Sequence, residues 1–291
     1  MLKHILIIAA ALFLVGGIVF FIAFAASGFS FGALSPMDVE DKIYTESADN
    51  QITSISVNYS NADVEVSLGE TFKVSYPVIV YKGGDAISEV SVTDTSGKLV
   101  IRERIDSMKI LGYNEISPKI SITVPRDRVC DFSIEIDNGT ITLEGSGLSV
   151  GNLILDTDNG DLNLNELSAV KITASTDGGF VTLKNATAAA SIDLETDRGE
   201  IQMFGNITSK RLEAETSTGD ISHENGIISA DKINISTEVG DIEATLAGSE
   251  ADYTILVEKS LGTSNVSNSV GGAKRAELGT EVGDIEIRFQ G

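Results

Sequence analysis

The sequence predicts an all-β fold, a single-stranded parallel β-helix (β-solenoid) of about ten coils of roughly 20 residues, preceded by one N-terminal transmembrane helix. Three observations carry this expectation. Glycines recur at a near-constant interval, apolar residues alternate at period two on both sides of each, and an uncharged apolar run opens the chain.

The opening comes first. Residues 1–4 hold Lys3 and the free amine, and Ile5 to Ala26 follow without a charge. As a helix this run would extend about 33 Å, enough for a hydrocarbon core of about 30 Å. Lys3, set against a first downstream charge at Asp38, orients the span N-in. The expected location is the cell membrane, single-pass, with the C-terminal domain extracytoplasmic. Secretion after signal cleavage is the alternative, because Ala23-Phe24-Ala25 has the small-x-small form of a cleavage site. The run exceeds the usual ~7–15-residue signal core, which favours an anchor over 5–26. Residues 27–50 read as a linker.

Residues 51–290 read as one repeat domain. Gly139, Gly160, Gly179, Gly199, Gly219, Gly240, Gly262 and Gly283 stand 19 to 22 residues apart, most behind a Thr-x-x tripeptide such as Thr216-Ser217-Thr218. Seven and five residues before them the positions are apolar, as in Leu212 with Ala214 or Ile233 with Ile235. Two and four after them the pattern resumes, as in Ile201 with Met203. Period-two alternation on both sides of a turn means two strands per coil, each with one buried face. A third, shorter side carries single apolar residues such as Leu167 or Ile207. The threonine three before the glycine shares the inward parity, and its hydroxyl is expected to bond along the stack or to turn backbone. The same ruler places corners at Gly97 and at Ala62, with insertions over 76–118 around Pro77 and Gly83-Gly84. No proline follows Pro125, as strands needing every N–H require. Right-handed winding is expected by analogy with three-sided coils.

Composition limits the function. With 43 acidic against 21 basic residues the net charge is −22. Such a chain does not bind nucleic acid by neutralising phosphates. The single Cys130 can form no internal disulfide and no cysteine-rich metal site.

Asn61-Ala62-Asp63-Val64-Glu65-Val66, Lys98-Leu99-Val100-Ile101, the strand end Val124-Pro125 and the serial Thr-x-x-Gly-Asp-Ile turns together resemble the bacterial putative-adhesin family of membrane-anchored β-strand-repeat envelope proteins. The likeness covers about residues 50 to 290. It implies a β-solenoid displayed at the cell envelope, with Lia-type relatives linked to envelope stress and the sensing of cationic antimicrobial peptides. It implies no catalytic residues and no cofactor.

The residues agree that the chain is not an enzyme. Polysaccharide lyases and glycosidases do occur on β-helices, using paired carboxylates or a basic residue on the wall. Pairs such as Asp156 with Asp158 are numerous here because turns favour Asp, and the absence of tryptophan removes the common sugar-stacking platform. His223 falls in an apolar column between Met203 and Ala244 and reads as a satisfied core histidine. Asp156-Thr157-Asp158-Asn159-Gly160-Asp161 fails the calcium-loop register. The weak metal candidates are Glu200, Asp220 and Asp241, which follow the glycines of consecutive coils. With the outward acids four before the glycine, such as Glu195, Glu215 and Glu258, they map an acidic wall suited to cationic partners.

The expected function is a non-catalytic, adhesin-like binding or envelope-stress sensing module, its partner an envelope component or a cationic peptide. A self-associating, filament-like solenoid is the alternative. The last corner at Gly283 runs almost to the C-terminus, so an open strand edge is expected there for end-to-end pairing.

Overall fold

A computed structural model describes residues 2–26, 28–29, 37–47, 49–82, 85–105 and 118–291. The chain is mostly β, with one N-terminal helix, Leu2–Ala26. Among the described residues no helix is long and apolar enough to cross a membrane, so the structure does not support the span expected over 5–26. The expected insertions at 83–84 and 106–117, and most of the linker before Met37, lie outside the described residues.

Inward alternation becomes registered stacking. The strands Ile141–Asn159, Leu162–Gly178 and Val181–Arg198 pair in parallel, each with the next. Leu153 thus meets Ile172, which meets Ile192, and the column continues through Leu212 to Ile233. These side chains are buried in one continuous core. Each contributes about 1.5–3 kcal/mol by leaving water. Slipping any strand by one residue would turn that column outward, so the hydrophobic pattern fixes the register.

The corners are fixed by backbone contact. At Gly219 φ is 147°, and a Cβ there would overlap the Gly199 carbonyl. Only glycine lets one turn sit on another at this distance. The threonines lock the same point: Thr176, Thr196, Thr216 and Thr237 each donate a hydroxyl proton to the carbonyl of the preceding glycine at 3.0 or 3.1 Å. Thr157 is buried likewise, and its Oγ1 has no partner.

The N-terminal part departs from the sequence reading. Gly97 is not an inter-repeat corner. It forms, with Ser96, the two-residue turn of an antiparallel hairpin between Ser88–Thr95 and Lys98–Ile105. Both turn residues have positive φ, 53° and 78°, which matches the right-handed twist of the flanking strands. The apolar spacing around Gly97 mimics a corner because hairpins and corners share period-two flanks. Lys73–Tyr81 is antiparallel to Lys119–Pro125 and to Met37–Thr45. That last strand occupies the stretch expected as linker.

Spatial order also differs from chain order at both ends. Ser54–Asn61 lies between Lys98–Ile105 and Cys130–Asn138, parallel to both. Lys274–Val282 lies between Lys232–Val239 and Tyr253–Leu261, again parallel to both. Consequently the open C-terminal edge expected for self-pairing is covered. Thr263 and Asn265 bond the backbone of Ile285, and the Asn265 side chain bonds that of Ile287.

Candidate functional site: an acidic outer face

The outward residues of the pre-corner strands build the candidate site. Four positions before the corner glycine, Glu135 pairs with Asp156, then Ser175, Glu195, Glu215, Ser236, Gly279 and Glu258 follow in spatial order. Two positions before the glycine the same register adds Asp158, Asp177, Asp197, Glu238 and Glu281. Neighbouring strands stand about 4.8 Å apart, so like charges face one another along the face. Burial raises the Asp156 carboxyl above its ordinary range, and Glu135, Asp158 and Asp177 add to the effect.

The columns enclose an open groove of about 600 Å³ near the C-terminal end. Glu195, Asp197, Glu215, Glu238, Glu258 and Glu281 line it. Gly279 sits in its floor between Ser236 and Glu258, where the missing side chain widens it. Lys259 also lines the groove, its Nζ donating to the Gly262 carbonyl at 2.8 Å.

Three other bases of the repeats sit elsewhere on their strands. Lys171 pairs with Asp193 at 3.1 Å, Arg211 with Glu213 and Arg275 with Glu277. These pairs stand six to eight residues before the glycine, so they do not neutralise the groove. Asn234 reaches Glu215 with a neutral amide at 2.9 Å.

The weak metal candidates have other roles. The Asp241 N–H donates to Asp220 Oδ1 at 2.8 Å, and the Asp284 N–H to Asp241 Oδ1 at 2.7 Å. Thr263 N–H closes the run on Asp284, and this bond holds the Asp284 carboxyl below its ordinary range. Asp161 and Asp63 do the same for Phe180 and Thr140. Each such carboxylate caps the N–H of the next corner in space. Glu200, one methylene longer, accepts from Gln202 Nε2 at 2.7 Å instead. Among the described residues no three His, Cys, Asp or Glu side chains gather so as to hold a metal ion. The sequence carried a signal for this staircase, an acid directly after the corner glycine, which charge counting alone reads as a wall.

His223 is buried, its Nε2 2.8 Å from the Gly205 carbonyl and its Nδ1 without a partner. Burial lowers its pKa. Cys130 is buried as well, and burial pushes its thiol up to about 11, so it is inert at neutral pH.

Parallel strands stacked at about twenty-residue intervals define a mostly β, repeat-like protein. The chain belongs to the Toastrack DUF4097 family, whose model matches residues 52–288. It is similar to the crystal structure of a putative adhesin from Bacteroides fragilis, with 17% identity over 86% of this chain and 97% of that one, at a TM-score of 0.51. A putative adhesin from Parabacteroides distasonis shares 12% identity, covering 87% and 95% of the two chains, at a TM-score of 0.44. The likeness to the Bacteroides fragilis structure concerns the fold. No curated protein matches the chain.

Proposed function

We propose that this chain is a non-catalytic binding module of the bacterial cell envelope, an extracytoplasmic β-solenoid whose acidic face takes cationic partners in adhesion or envelope-stress sensing. The groove between Glu195 and Glu281 carries the reading. Six carboxylates converge on it against one lining base, Lys259, while Lys171, Arg211 and Arg275 pair with other acids. A row of like charges at strand spacing favours a partner that brings opposite charge, and long-range attraction speeds its arrival. The registered parallel ladders support the solenoid, and the printed names of the structural neighbours support the adhesin-like role.

Calorimetric titration of the chain with an oligolysine peptide tests this. Binding is expected at low salt, weakening as ionic strength rises, and lost in a variant with Glu215→Lys, Glu238→Lys and Glu281→Lys. Equal binding by that variant, or binding insensitive to salt, would remove the groove from the account.

A further inference from the structure

The terminal repeat is sandwiched between two repeats that match each other in their apolar and glycine columns, Lys259 alone replacing the column threonine Thr237. Ile233 and Ile255 both face Ala276, and Ile235 and Val257 both face Leu278. Gly240 and Gly262 both pack against Gly283. Were the insert removed, the two flanking repeats would meet isoleucine on isoleucine and glycine on glycine, in an unbroken register. The outer repeat also brings its own cover: Ile255 exchanges two backbone hydrogen bonds with Ser269, at 2.9 and 3.0 Å. At Ile255 and at the Val257 N–H, which donates to Asn268 Oδ1, its outer edge is therefore satisfied whether or not the insert is in place.

The connections permit movement by one layer. Between Ile242–Ala247 and Tyr253–Leu261 the chain carries a 3-10 turn, Glu250–Asp252, whose bonds from Ser249 to Asp252 are local and can travel with it. Gly271 leads towards the insert with φ 113° and open space around it. Chain order supplies the timing, because synthesis and local pairing make 253–266 available before 274–290.

We propose that residues 273–291 form a late-docking insert. The array first closes with Tyr253–Leu261 stacked directly on Lys232–Val239, and the terminal repeat then enters between them. The fold thus has two arrangements at its C-terminal end, closed and inserted, which differ in the docking of the terminal repeat and in a one-layer shift of the outer one. The N-terminal end needs no such step, since Ser54–Asn61 precedes both of its neighbours in the chain.

Pulse-labelled hydrogen exchange during refolding of the full chain in detergent tests the order, read by mass spectrometry on peptides covering 253–261 and 274–290. The expected result is protection of 253–261 at least about ten-fold sooner than 274–290. Simultaneous protection, or earlier protection of 274–290, overturns the proposal. At equilibrium, Leu278→Asp in the full chain should strip protection from 274–290 by about a hundred-fold or more and leave 253–261 protected. Loss of protection in both segments would show that the outer repeat cannot stand on Lys232–Val239, and would equally overturn it.

Discussion

Gly283 stacks onto Gly240, 43 residues earlier, in step with the neighbouring aspartates, although Gly262 precedes it in the corner series. Gly262 packs on the far side of Gly283. Corner contact between glycines thus does not follow chain order at this end of the fold.

Contact of this kind makes a sharp contrast between glycines. At Gly219 a methyl group meets the Gly199 carbonyl at a positive φ, so Gly219→Ala is expected to cost about 2 kcal/mol or more. At Gly279 the nearest atoms are in ordinary contact, 3.7 Å or farther, and Gly279→Ala should be neutral or gain about 0.5 kcal/mol. Denaturant melts of the two variants measure this, and equal losses would contradict it.

The threonine ladder offers a second pair. Thr216 donates to Gly199 at 3.0 Å, and Thr216→Val should cost about 1 kcal/mol. Thr157 is buried without a partner, so Thr157→Val, of nearly the same shape, should be neutral or stabilising. A common loss at both sites in thermal melts would mean that packing, not the hydroxyl bond, sets the preference.

His223 gives stability a pH dependence. Its folded pKa lies below the ordinary 6.5 because burial disfavours the imidazolium. Its contribution is complete above 6.5 and is lost as pH falls from there towards the folded value. Stability measured by urea denaturation should fall from pH 7 to pH 5, and His223→Leu should flatten that part of the profile. An unchanged slope in the variant would place the titration elsewhere.

Glu103 acts in the opposite sense. The residue is 7% exposed, and burial raises its pKa although the Ser60 N–H and Ser88 hydroxyl favour the carboxylate. A raised carboxyl adds stability at low pH and loses it as pH rises through the folded pKa. Glu103→Gln removes the buried charge and should raise the melting temperature at pH 7 more than at pH 4. The reverse ranking would show that the hydrogen bonds outweigh desolvation.

The regular middle of this fold is legible in sequence because every column repeats. Leu153, Ile172, Ile192 and Leu212 announce one another at twenty-residue steps, and burial follows from parity alone. The ends are not legible for a definite reason. Ser54–Asn61 and Lys274–Val282 carry the same columns as all other repeats, so nothing local says which layer each enters. Gly97 misleads for a related reason, since hairpin and corner share flanks and differ only in the partner strand's direction. At the candidate site the outward acids were visible as a pattern. The division of labour was not, because only the fold shows Asp220 and Asp241 capping backbone N–H groups while Glu215, Glu238 and Glu281 turn into the groove.

The most direct test of the layer order uses the exposed corner residues Val239, Val282 and Leu261. Val282 is in register with both of the others. Cysteine substitution and spin labelling in pairs, read by dipolar broadening in continuous-wave EPR, should show Val239 with Val282 and Val282 with Leu261 as the close pairs, about 5 Å apart between backbones, and Val239 with Leu261 at about twice that. Strongest broadening for Val239 with Leu261 would mean that the repeats stack in chain order, and would contradict the account.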